Sequence, residues 1–186
     1  MRTLDHVIAP VLPETLRKFM RECRIPASTF HPLPPQQVPE PARRLLVHSN
    51  DMTSTLAAFH ESPLRVDVLQ CRRENEFYLR EVFLRTVSGN AIVEYGVIGI
   101  ALDQFTAPQQ DAVEAGETPL GALLHRFKIP FVSAPIGFFS AMGELLADTP
   151  LRAPKDSLCF GRFNRLSKPT GEPLAWILEI LPPASH

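Results

Sequence analysis

Apolar residues recur along the chain with two different periods, and each change of period marks an element. Leu16, Phe19, Met20 and Cys23 stand at i, i+3, i+4 and i+7, one face of a helix that starts just after Pro13. From Pro26 to Pro41 prolines replace this rhythm, so the chain is expected to run extended over a surface. A second helix is predicted from Ser49-Asn50-Asp51, any of which can cap free amides, with Leu56 and Phe59 as its apolar face. Arg65 to Cys71 then alternates loosely. Phe77 to Val87 is rich in aromatic and branched residues, Ser88-Gly89-Asn90 is a turn, and Ala91 to Leu102 is its partner. Together they predict a β-hairpin.

The helical rhythm returns between residues 108 and 147. Asp111 to Ala115 reads as a short turn ending at Gly116. Thr118 reads as an N-cap with Pro119 at the first helical position, ahead of a stripe of Leu120, Leu123, Leu124 and Phe127. Pro130 and Pro135 interrupt the chain before a third helical stretch, Phe138 to Ala147. A second hairpin follows: Ser157 to Ser167, a turn at Lys168-Pro169-Thr170-Gly171, then Pro173 to Leu181. Hairpins separated by helices predict an α+β fold on a mainly antiparallel sheet. Strict βαβ alternation, GxGxxG and GxxxxGK(S/T) are all missing, which argues against a dinucleotide or P-loop fold.

Composition narrows the class. The 186 residues are 45% apolar and 21% charged, enough for one sizeable core without staples. Nineteen basic residues face twenty acidic ones, so no broad basic field exists to hold nucleic acid. No stretch approaches the ~20 apolar residues of a membrane span, and the amino terminus lacks the apolar core of a signal peptide. Cys23, Cys71 and Cys159 lie far apart without CxxC spacing, and the histidines form no HxxxH pair. The expectation is a cytoplasmic protein with a small-molecule substrate, no metal or cofactor, no nucleic acid and no membrane span. Eight of the 19 prolines fall in the first 41 positions. They set residues 1–44, a helix and a proline-rich arm packing on the domain, apart from an α+β domain over residues 45–186.

Period-two arithmetic picks out the candidate chemistry. On the strand from Phe77, one face carries Tyr78, Arg80, Val82 and Leu84, so Arg80 projects among apolar neighbours. The last strand is apolar on both faces and reads as central. Glu179, which shares a face with Ala175, Ile177 and Leu181, therefore cannot avoid burial. A buried carboxylate is costly unless paired, hydrogen-bonded or protonated. Two arrangements satisfy that demand. Arg80 and Glu179 can pair with each other, or both can face a cavity in which the arginine binds a ligand carboxylate. Arg162, which shares a face with Phe160, Asn164 and Leu166, and Arg165 on the other face are further candidate anion contacts, with an exposed surface position as the simpler reading of each. His48, His60 and His125 read as solvated or satisfied residues, and Cys159 as a small buried hydrophobe.

The same residues carry a resemblance. Tyr78-Leu79-Arg80-Glu81-Val82, Gly116-Glu117-Thr118-Pro119-Leu120-Gly121, Gly161-Arg162, and Gly171-Glu172-Pro173-Leu174 leading to Glu179-Ile180-Leu181-Pro182 resemble the chorismate–pyruvate lyase family. Order and spacing match over residues 45–183, and Val93-Glu94-Tyr95-Gly96 looks more like the archaeal and cyanobacterial branch. The resemblance implies an antiparallel sheet covered by helices around an enclosed ligand cavity. It also implies a cofactor-free lyase that removes pyruvate from chorismate to leave 4-hydroxybenzoate. By position, its ligand-binding arginine falls on Arg80 and its glutamate on Glu179, with main-chain contacts at Leu120 and Met52. Catalysis would rest on Glu179 and Arg80. Ubiquinone-pathway members have an arginine after Gly96, where this chain has Val97. Arg162 or Arg165 is the candidate to replace it at the enolpyruvyl carboxylate, with Arg162 preferred because its Gly161-Arg162 context matches the family. The alternatives are a ligand-sensing module of the same fold and a related enzyme making another aromatic acid from chorismate.

Overall fold

The computed structural model describes residues 11–25 and 30–183. Its strands are β1 (His31–Leu33), β2 (Leu64–Glu74), β3 (Phe77–Thr86), β4 (Ile92–Ala101), β5 (Val132–Met142), β6 (Leu158–Ser167) and β7 (Pro173–Leu181). Its helices are α1 (Glu14–Glu22), α2 (Ala42–Leu46), α3 (Met52–Phe59), α4 (Ala107–Glu114), α5 (Leu120–Arg126) and α6 (Gly143–Leu146). The strands form a single sheet in the order β1-β5-β6-β7-β4-β3-β2, with every neighbouring pair antiparallel. The fold is therefore α+β, and β7 is the central strand, as its two apolar faces predict. Among the described residues no helix is long and apolar enough to cross a membrane.

The sheet buries both faces, by different means. Leu79, Phe83, Tyr95, Val97, Phe163, Leu178 and Ile180 form one face, and α1 closes it with Leu16, Phe19 and Met20. The other face is closed by the two long crossings of the chain. One runs from β1 to β2 through α2 and α3, the other from β4 to β5 through α4 and α5. Each crossing brings its own apolar cluster. Leu46, Met52 and Leu56 pack on Val82, Leu84 and Leu181, while Leu120, Leu123 and Leu124 pack on Tyr78, Ile98 and Ile100. The polar residues of this face lie between the two clusters.

Four sequence expectations need correction. Asp111 to Ala115 form no isolated turn but the last residues and C-cap of the eight-residue helix α4. Residues 138–147 do not form a helix: Phe138 to Met142 continue β5, and only Gly143–Leu146 turn helically. An apolar run buried in a sheet has no period that separates it from a buried helix. Pro135 is tolerated because it sits at the register shift between Pro135 and Gly137. The arm does more than lie over a surface, since His31, Pro32 and Leu33 pair with Ser140, Phe139 and Phe138 as an edge strand. Pro26 itself falls outside the described residues. The middle helix starts at Leu120 with Pro119, not Thr118, as its N-cap.

Helix α1 is part of the core, and this is testable. Phe19 is buried against the sheet, with the Arg72 guanidinium 5.1 Å from its ring centre. Phe19→Ala is expected to lower stability by about 3–5 kcal/mol in urea unfolding, the usual cost of emptying a buried aromatic site. An unchanged midpoint would mean that α1 is a detachable arm.

Candidate functional site

Cross-strand pairing assembles the site. Arg80 on β3 lies opposite Ile98 on β4, and Ile98 lies opposite Ile177 on β7. One step along the same face, Val82, Gly96, Glu179 and Arg162 line up across β3, β4, β7 and β6. Glu94 lies opposite Leu84, one further step on. Arg80, Glu94, Glu179 and Arg162 thus share the face that the two crossings cover.

Glu179 pairs with Arg162, not with Arg80. Its direct neighbour on the adjacent strand is Arg162, within the ~5 Å reach of a cross-strand pair. Arg80 is two strands away, roughly 10 Å at the usual strand spacing. Arg162 is 0% exposed, and its Nε donates to Glu179 Oε2. Its Nη1 donates to the carbonyls of Leu46 (2.9 Å) and His48 (3.1 Å), and its Nη2 to that of Asn50 (3.3 Å). The expectation that Arg162 binds a ligand carboxylate is therefore corrected. Four of its N–H groups are engaged by the protein, and it does not line the cavity described below. Nor is it a surface arginine, whereas Arg165 is exposed.

A cavity of about 50 Å³ separates the sheet from the starts of α3 and α5. Arg80, Glu94 and Glu179 line it from the sheet, and Met52 and Leu120 line it from the two helices. Four of the positions singled out in the sequence are thereby brought to one place: Arg80, Met52, Leu120 and Glu179. The helices meet closely over it. Asp51 caps α3 by accepting from Ser54 N (2.8 Å) through Oδ1, and its Oδ2 lies 3.1 Å from His125 Nε2 on α5. Gly121 makes this approach possible, because a Cβ there would stand 2.6 Å from Asp51 Oδ1. Val97 points to the opposite face, among Leu79 and Leu178, so no side chain at that position reaches the cavity.

The electrostatics of the cavity are lopsided. Arg80 is 2% exposed, and neither its Nε nor its Nη1 finds a hydrogen-bond partner among the described residues. Burial lowers its pKa to about 10, against a smaller opposing effect of Tyr78 and Cys71. At the other end, Glu94 is 4% exposed with Oε2 unpartnered. Burial and the nearby Glu179 carboxyl push its pKa well above the ordinary range. Burial also raises Glu179, against the pull of Arg162. Glu94 was missed in the sequence reading, yet the same arithmetic finds it. It alternates with Gly96, Ile98 and Ile100 as a lone acid on an apolar face.

His48 and His125 serve the frame. His48 lies 2.7 Å from Leu45 O through Nε2 and accepts from Asn50 N (3.1 Å) through Nδ1, and burial lowers its pKa. His60 and His125 are exposed. Among the described residues, no group of three or more His, Cys, Asp or Glu side chains is arranged to hold a metal ion. What the arrangement can do is bind an anion at Arg80 and exchange protons at the Glu94–Glu179 end.

No protein-family model and no curated protein matches the sequence. Among solved structures, gene product SA0254 from Staphylococcus aureus subsp. aureus N315 is similar with a TM-score of 0.50. The match covers 73% of this chain and 90% of that one at 11% identity, a likeness of fold alone.

Arg162 should be structural. Arg162→Met leaves Glu179 buried without its cation, and a loss of about 3–5 kcal/mol is expected in urea unfolding. Adding Glu179→Leu to that variant should recover most of the loss, because an apolar pair replaces the ion pair. A single variant as stable as the unmodified protein would contradict the role.

Proposed function

We propose that this chain is a cofactor-independent lyase that converts chorismate to 4-hydroxybenzoate and pyruvate, acting in a ligand-binding cavity enclosed by α3 and α5. One observation carries the reading. Arg80 is a buried arginine without an anion, facing a cavity, and removing such an ion from water without a partner costs several kcal/mol. A ligand carboxylate supplies what is missing, in the two-pronged geometry that guanidinium groups favour. The resemblance of the Arg80, Leu120 and Glu179 segments to chorismate–pyruvate lyases names the ligand class. The cytoplasm is the proposed location.

The chemistry suits the residues. Loss of the C4 proton and cleavage of the C3–O bond make the ring aromatic, so orientation and proton transfer are the main demands. Arg80 holds the ring carboxylate at one end of the cavity, with main-chain groups at Met52 and Leu120 beside it. Glu179 at the other end takes the C4 proton. At about 50 Å³ the cavity is smaller than the ~150 Å³ that admits benzene. Binding therefore requires α3 and α5 to draw back.

Incubation with chorismate alone tests this. Pyruvate and 4-hydroxybenzoate are expected in equal amounts, followed by chromatography. Glu179→Gln is expected to lower kcat by about 10²–10⁴-fold, the usual range for a proton-transfer group. No pyruvate from the unmodified protein sinks the lyase reading and leaves a ligand-sensing module. Pyruvate with a different aromatic product indicates a related chorismate enzyme. In a separate measurement, 4-hydroxybenzoate should raise the melting temperature of the unmodified protein but not of Arg80→Ala.

A further inference from the structure

Glu94 lines the cavity and has no part in the scheme above. Its carboxyl lies over Gly96: Oε1 stands 3.1 Å from where a Cβ at that glycine would be. Gly96 is the cross-strand neighbour of Glu179. The missing side chain at Gly96 therefore leaves room for the Glu94 carboxyl on the strand next to Glu179, and both glutamates line the cavity. The charged groups that face Glu94 are Glu179 from β7, Arg162 from β6 and Asp51 from the start of α3. Asp51 is already bonded to Ser54 N and His125, and Arg162 to Glu179. One buried cation thus serves two buried glutamates, an arrangement that leaves one of them protonated. The proton belongs on Glu94, since Glu179 holds the arginine.

Resting on the lyase reading, we propose that Glu94 is the general acid of this site, giving its proton to the ether oxygen of chorismate while Glu179 removes the proton from C4. The C4–H electron pair becomes the new C3=C4 ring bond. The C3–O bond breaks with its electron pair on oxygen, and that oxygen takes the Glu94 proton. The fragment leaves as the enol of pyruvate, a better leaving group than the enolate, and ketonises. Glu179 ends protonated and Glu94 ionised, and return of one proton from Glu179 to Glu94 restores the pair. No oxidant, reductant or further reactant is needed.

Glu94→Gln keeps the size of the side chain and removes the transferable proton. With chorismate, the variant is expected to lose about 10²–10⁴-fold in kcat with KM little changed, and the alkaline limb of the pH–rate profile should disappear. If the unmodified protein releases pyruvate and the variant matches its kcat and pH profile, the acid role is overturned while the lyase reading stands. If the unmodified protein releases no pyruvate, the lyase reading falls and the acid role falls with it. Thermal unfolding adds a readout that needs no substrate. The unfolded chain loses this proton near 4.5 and the folded chain keeps it, so the unmodified protein loses stability as pH rises above that value. Glu94→Gln should then be the more stable form at mildly alkaline pH, with the margin vanishing towards pH 4.5. A variant that is less stable at alkaline pH would make Glu94 an ionised structural partner and overturn the proposal.

Discussion

A guanidinium removed from water must find acceptors for its N–H groups, and the way Arg162 meets that demand organises this protein. One acceptor is the Glu179 carboxylate on the neighbouring strand. The others are the carbonyls of Leu46, at the end of α2, and of His48 and Asn50 in the link to α3. The interaction therefore fastens one of the two crossings to the middle of the sheet. The anchored link leads straight into Asp51, which caps α3 and reaches α5 through His125. Position over the cavity is thus inherited from one buried ion. Arg80, two strands away from Glu179, has no share in this pair. Among the described residues two buried arginines share one face, and only Arg162 has its charge met.

Much of this was legible in the sequence. The strand from Phe77 and the strand from Pro173 show their buried charges by period two, and both central hairpins announce themselves through their turns. What could not be read was which arginine meets Glu179. That depends on the register of β6 against β7, set by the turn at Lys168–Gly171, and on the order of strands that puts β4 between Arg80 and Glu179. Neither is a property of any one segment. Strand β5 was hidden for a different reason. Phe138, Phe139 and Ala141 are buried whichever way the chain winds, so the pattern fits either conformation. Glu94 is legible by the same rule, as a lone acid on the face of Gly96, Ile98 and Ile100.

The site also depends on its place in the topology. Each crossing carries its own apolar cluster onto the same face. Where the two clusters meet, the sheet presents Arg80, Glu94 and Glu179. Polar groups are therefore concentrated at the seam between two packing units, where each helix meets the sheet at the edge of its own cluster. The opposite face has α1 packed across a continuous apolar surface and carries no comparable break.

The arm that pairs with β5 has one more consequence. Without β1, the row of unpaired amides and carbonyls along β5 would be a template for a strand from any neighbouring chain. A three-residue strand with proline at its centre, Pro32, covers the stretch of that row at Phe138–Ser140 and offers a poor template in turn. The far edge, β2, is long, but it carries Arg65, Asp67, Arg72 and Arg73 and a bulge between Val68 and Gln70. Both ends of the sheet thus resist growth by strand addition, one by brevity and proline, the other by charge and a break in register.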